Sequence, residues 1–148
     1  MRVLVQRAWV GASLGLAAGL VASNAVMAAC DRPTAVRFPA GVFAAELTGG
    51  VPRGERDCFS IYAGAGQTLS VTQKTAQDSN IVFQLYRPGW RIKRSPDGTD
   101  VSGATLHGAG EGDDAWTWSG SLPAKGDYLI VVGATRGGGE YRIRVEIH

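Results

Sequence analysis

The sequence predicts an all-β fold, a single antiparallel β-sandwich of about eight strands preceded by a cleaved signal peptide. Three observations carry this. Short apolar runs alternate with polar residues at a period of 2, which is strand geometry. Clusters of Gly and Pro punctuate those runs at short, regular intervals, as in sandwiches and barrels. Beyond the first segment, no 3.6-residue periodicity is long enough to build a helix.

The elements follow in order. Strands are expected at residues 35–38, 42–47, 57–63, 67–73 and 81–86. They are separated by Pro39 with Gly41, Gly49 with Gly50 and Pro52, Gly64 with Gly66, and Pro88 with Gly89. Phe59 and Ile61 alternate with Ser60 and Tyr62, and Leu69 and Val71 alternate with Thr68, Ser70 and Thr72, so each strand is expected to keep one wettable face. From Arg87 to Gly112 the pattern weakens. Arg87, Arg91, Lys93 and Arg94 surround Trp90, and a Gly-, Ser- and Asp-rich stretch follows that reads as a long loop. Order resumes at 115–119, where Trp116 and Trp118 share a strand face and read as core. The last two strands, 127–132 and 140–147, are expected to form a hairpin whose turn carries Thr135, Arg136, Gly137, Gly138 and Gly139. On the final strand Tyr141, Ile143, Val145 and Ile147 face one way and Arg142, Arg144, Glu146 and His148 the other, so one face must be covered.

The N-terminus reads as an export signal. Arg2 and Arg7 precede an Ala/Gly/Leu-rich run, and small residues around Ala28 and Ala29 supply a cleavage site. The expected organisation is residues 1–28 as signal peptide and 29–148 as one sandwich domain. The run is glycine-rich and short of the roughly 20 apolar residues that a membrane span needs. Of the 148 residues, 15 are Lys or Arg and 13 are Asp or Glu, and Arg2 and Arg7 account for the excess. The processed chain is near neutral, with no basic stripe interleaved with aromatics, which argues against a nucleic-acid partner. Cys30 and Cys58 form an even pair in an exported chain and read first as a disulfide. The rival reading is lipidation of Cys30, because Met27, Ala28, Ala29 and Cys30 loosely resemble a lipobox.

No catalytic constellation emerges, and no cofactor or metal is expected. The only histidines are His107 and His148, too few for an organised zinc site, and no nucleophile elbow accompanies His107. Glu111, Asp113 and Asp114 lack the alternate-position carboxylates of an EF-hand loop, and as paired carboxylates for glycoside cleavage they read better as solvated turn residues. Gly108, Gly110 and Gly112 neither follow a strong strand nor open a helix, so they make no phosphate loop. Arg136 is a permanently charged, planar donor at a glycine-rich tip, suited to a bidentate carboxylate or phosphate; on residue chemistry alone it reads first as a solvated loop residue.

The run 36–41, DCFSIYAGAGQTLSV at 57–71, LYRPG at 85–89, SLPAKGDY at 121–128, Thr135 with Arg136, and the closing EYRIRVEI together resemble the bacterial periplasmic inhibitors of g-type lysozyme. More broadly, the chain is similar to pre-peptidase C-terminal β-sandwich domains. The first resemblance implies an exported, non-enzymatic protein that occludes the cleft of a lysozyme. Arg136 stands where that family places a contact arginine, with Thr135, Arg53 and Arg56 as further contacts. The family's last loop is longer and more basic than Gly137, Gly138 and Gly139, and Gly54 stands where the family can present an aromatic. The second resemblance implies a module that binds glycan or an envelope partner, with Trp90 as an aromatic platform.

Overall fold

The computed structural model describes residues 30–75 and 80–148. The signal-peptide reading falls on residues 1–28, outside the described residues. Ten strands are present among the described residues: β1 (Thr34–Ala35), β2 (Ala44–Val51), β3 (Asp57–Ala63), β4 (Thr68–Gln73), β5 (Ile81–Tyr86), β6 (Arg91–Ser95), β7 (Gly98–Ser102), β8 (Thr117–Ser121), β9 (Gly126–Ala134) and β10 (Gly139–Ile147). They form a four-stranded sheet A in the order β1-β3-β9-β5, a four-stranded sheet B in the order β2-β10-β4-β8, and a separate ribbon of β6 and β7. Pairing is antiparallel throughout except where the two-residue β1 runs parallel to β3.

The period-2 pattern explains the main core. Phe59, Ile61, Phe83, Leu85, Tyr128, Ile130 and Val132 of sheet A face Leu47, Leu69, Val71, Tyr141, Ile143, Val145 and Ile147 of sheet B, all buried. Trp118 packs against this core, while Trp116 stands one residue outside β8 and is half-buried. The expectation of one wettable face per strand fails for β9, where residues 128–132 are all buried. Its outward Leu129 and Val131 join Cys30, Cys58 and Tyr86 in a second cluster, which Trp90, Ile92 and Val101 cover from the ribbon side. That is why Leu129 to Val132 reads as a continuous apolar run.

Four further sequence expectations are corrected. β9 and β10 are not a hairpin: β9 pairs with β3 and β5, whereas β10 pairs with β2 and β4, so the 135–138 connection is an arch between the sheets. Two alternating strands close together in sequence need only bury their apolar faces, and facing each other across a core does this as well as pairing side by side. The long loop after Arg87 contains the β6–β7 ribbon, turned at Pro96, Asp97 and Gly98. Gly49 and Gly50 do not end β2, which continues to Val51. Gly49 lies opposite Tyr141, and a Cβ there would sit 2.5 Å from the Tyr141 hydroxyl, so its absence admits the ring. Finally, the first expected strand shrinks to Thr34–Ala35, although Val36 N–H still donates to Ser60 O at 2.8 Å.

The segment after the ribbon is irregular but not loose. It covers the free edge of β5: Phe83 N–H donates to Ala115 O, Leu85 N–H to Ala109 O and Arg87 N–H to Ala104 O, while Leu106 N–H donates to Leu85 O. At the opposite end of the sandwich from the arch, the buried Tyr128 hydroxyl donates to Ala124 O at 2.6 Å and accepts Ala124 N–H at 3.2 Å, a tyrosine corner that fixes the turn into β9. Tyr128→Phe leaves both Ala124 groups without their partner and is expected to lower stability by about 1–3 kcal/mol. Urea unfolding checks this: the midpoint should fall with an unchanged m-value.

Candidate functional rim

Strand direction brings three connections to one end of the sandwich. The β2–β3 loop (52–56), the β4–β5 connection and the β9–β10 arch (135–138) all leave the sheets there. Two contacts bind them into a rim. Thr135 N–H donates to Asn80 O at 2.8 Å, and the Thr135 hydroxyl donates to the same oxygen at 3.3 Å, which joins the arch to the β4–β5 connection. Gly138 lies against the β2–β3 loop so closely that a Cβ would fall 2.5 Å from Val51 O and 3.1 Å from Arg53 N. Backbone meets backbone there, so no side-chain rearrangement would make room.

The residues singled out from sequence divide into two groups. Arg136, Thr135 and Arg53 are exposed on the rim, and Arg136 makes no hydrogen bond or ion pair with any described residue. Arg56 is half-buried and turned inward: its Nη2 donates to Thr99 O of the ribbon at 2.7 Å, and its stem lies over Gly133. Arg56 therefore ties the loop to the ribbon as well as bordering the rim. Below Thr135, a groove of about 450 Å³ opens on the outer face of sheet A, lined in part by Glu55, Arg56, Glu111, Asp114 and Thr135. Asp114 has φ of 48°, the one non-glycine residue in the left-handed region among those described. Burial pushes the Tyr86 hydroxyl pKa up, with Arg56 opposing and Glu111 reinforcing the shift.

Trp90 lies away from the rim, on the ribbon side of sheet A. It is half-buried, packs on the second apolar cluster, and its indole N–H donates to Asp127 O at 2.9 Å. Cys30 and Cys58 are disulfide-bonded, with Cα atoms 4.5 Å apart, which leaves Cys30 no thiol for a lipid. The bridge ties the first described residue to β3. Ion pairing of Arg94 with Asp31 fastens the same segment to the ribbon.

Three elements that shape the rim carry little or no signal in the sequence. The role of Gly138 as a packing surface depends on a loop distant in sequence. Asn80 contributes only its carbonyl, which has no residue-type signal. Asp57 and Tyr141 form a buried hydrogen bond of 2.6 Å beneath the rim. A partial signal existed in an acidic residue opening a strand that is otherwise largely apolar and in the inward parity of Tyr141. Burial raises the Asp57 pKa, the Tyr141 bond lowers it, and nearby Glu55 raises it again. Burial and Asp57 together push the Tyr141 hydroxyl far above its ordinary value, so it remains a donor.

The described residues thus form a two-sheet sandwich whose loop rim carries an exposed arginine at its tip. Among solved structures, the chain is similar to PliG of Aeromonas hydrophila, a periplasmic lysozyme inhibitor of g-type lysozyme, with TM-score 0.59, 28% identity, and coverage of 78% of this chain and 96% of that chain. PliG of Salmonella Typhimurium, also a periplasmic inhibitor of g-type lysozyme, shares the fold with TM-score 0.54 and 20% identity over 78% of this chain and 97% of that chain. A pre-peptidase C-terminal domain of a Bacillus anthracis collagenase aligns at TM-score 0.42 and 11% identity over 79% of this chain and 95% of that chain. No protein-family model matches the chain, and no curated protein sequence matches it.

Proposed function

We propose that this chain is an exported, non-enzymatic inhibitor that binds a g-type lysozyme and occludes its substrate cleft with the rim. The observation that carries the reading is the 28% identity to Aeromonas hydrophila PliG, an inhibitor of g-type lysozyme, across 96% of that chain. The Cys30–Cys58 disulfide and the signal-like N-terminal sequence fit a periplasmic or secreted location. Arg136 is the central contact, with Thr135, Arg53 and Arg56 around it.

The physical basis is a permanent cation at the end of a short, fixed arch. A guanidinium entering an acidic cleft makes charge-assisted, bidentate hydrogen bonds with a carboxylate. It also favours the ionised form of that carboxylate, which removes a general acid from the hydrolytic reaction. Inhibition is stoichiometric, so the protein itself turns nothing over. The test is to mix the processed protein with goose-type, chicken-type and invertebrate-type lysozymes and follow lysis of cell walls. Inhibition selective for the goose type is expected, and an absence of inhibition of all three would sink the proposal.

A further inference from the structure

A single directional bond crosses the apolar interior directly under the rim. Tyr141 Oη donates to Asp57 Oδ2 at 2.6 Å, and among the described residues this is the one side-chain hydrogen bond between two buried residues. Tyr141 is 3% and Asp57 7% exposed. Asp57 opens β3 and immediately follows the 52–56 loop, whereas Tyr141 is the third residue of β10, just past the arch. The bond therefore joins sheet A to sheet B at the level where both loops depart.

The surroundings are built around this contact. The tyrosine ring stands edge-on to Phe59, with centroids 6.3 Å apart and planes at 81°, and Gly49 opposite it has no side chain to compete for the space. An apolar pair of similar volume would hold the two sheets together at least as well, because burying a carboxylate carries a desolvation cost. Apolar packing is non-directional, however, and tolerates small relative displacements of its layers. A short, buried hydrogen bond selects one placement.

We infer that Tyr141 and Asp57 are a positioning pair that fixes the 52–56 loop relative to the 135–138 arch, so that Arg53 and Arg136 meet a partner as one preformed surface. Neither residue contacts the partner. The pair acts through Gly138, which transmits the sheet placement to Val51 and Arg53. The geometry stands independently, while the consequence for binding rests on the inhibitor reading.

Tyr141→Phe keeps the ring and removes the bond, and Asp57→Asn keeps an acceptor for Tyr141 while removing the charge. Amide hydrogen exchange on the free proteins is the first readout. In Tyr141→Phe, exchange is expected to rise at least tenfold in residues 53–56 and 135–139 but to stay within threefold of the wild type in β4 and β8. Asp57→Asn should stay within threefold everywhere. Against g-type lysozyme, Tyr141→Phe should raise the inhibition constant at least tenfold, and Asp57→Asn should leave it within threefold of the wild type. If Tyr141→Phe does not fold, Asp57→Asn combined with Tyr141→Phe removes the unpaired charge and should show the same loop-restricted exchange. Exchange that is unchanged, or that rises equally in every strand, overturns the positioning role. A wild type that inhibits no lysozyme overturns the proposed function instead, and leaves the exchange result to decide this inference.

Discussion

Replacing Arg136 by alanine is expected to weaken inhibition of a g-type lysozyme by about 30-fold to several thousand-fold, corresponding to about 2–5 kcal/mol for a charged pair desolvated at an interface. Arg136 makes no hydrogen bond within the described chain, so its removal should leave folding almost untouched. This separates the effect from instability: the thermal midpoint should stay within a degree or two of the wild type, estimated from the small cost of surface substitutions. Arg136→Lys should recover only part of the loss, because an ammonium supplies the charge without the planar two-pronged contact. Titration of the wild type and each variant against a fixed lysozyme concentration measures the inhibition, and thermal unfolding of the free proteins measures the midpoint. Equal potency of wild type and Arg136→Ala would remove the arginine from the mechanism.

Loss of the Cys30–Cys58 bridge is expected to be the most damaging single change to stability. The bond closes a segment of sequence separation 28, and its chain-entropy contribution is about 3–4 kcal/mol. Cys58 is fully buried and Cys30 nearly so, within the small cluster between sheet A and the ribbon. The double variant Cys30→Ala, Cys58→Ala therefore also loses packing there. Urea unfolding of this variant beside the oxidised wild type should show the midpoint falling by an amount equivalent to at least about 3–4 kcal/mol at the wild-type m-value. A midpoint shift below about 1 kcal/mol would mean that Asp31–Arg94 pairing and the β1–β3 contacts hold the N-terminal segment without the bridge.

Much of the fold was legible because strand periodicity is a local property. β3 and β5 occupy the residues that alternation indicated, and inward residues such as Ile61, Val71 and Ile143 are core. What local patterning lacked was the choice of neighbour. β9 and β10 have the alternation of paired strands, yet they lie in different sheets, and only the competing partners β3, β5, β2 and β4 decide this. The β6–β7 ribbon escaped notice because charged Arg91, Lys93 and Arg94 dominate its first strand, although Ser95-Pro96-Asp97-Gly98 is a turn signature with apolar Ile92 and Val101 on either side. At the rim, Thr135 and Arg136 were visible as a polar tip. The contacts that hold the tip, Gly138 on Val51 and Arg53 and the Asp57–Tyr141 bond, connect residues far apart in sequence and carry no local pattern.

The irregular cover on β5 bears on how sheet A resists edge-to-edge association with other chains. An open sheet edge is a template for foreign strands, and sheets that expose one tend to polymerise. Sheet A ends on one side in a strand of two residues and on the other in the 104–115 segment, which already accepts the N–H groups of Phe83, Leu85 and Arg87. Neither border offers an incoming chain a continuous ladder. The Gly- and Asp-rich composition that reads as a loop keeps this stretch from acting as an adhesive strand in its own right, so it serves as a terminator of sheet growth.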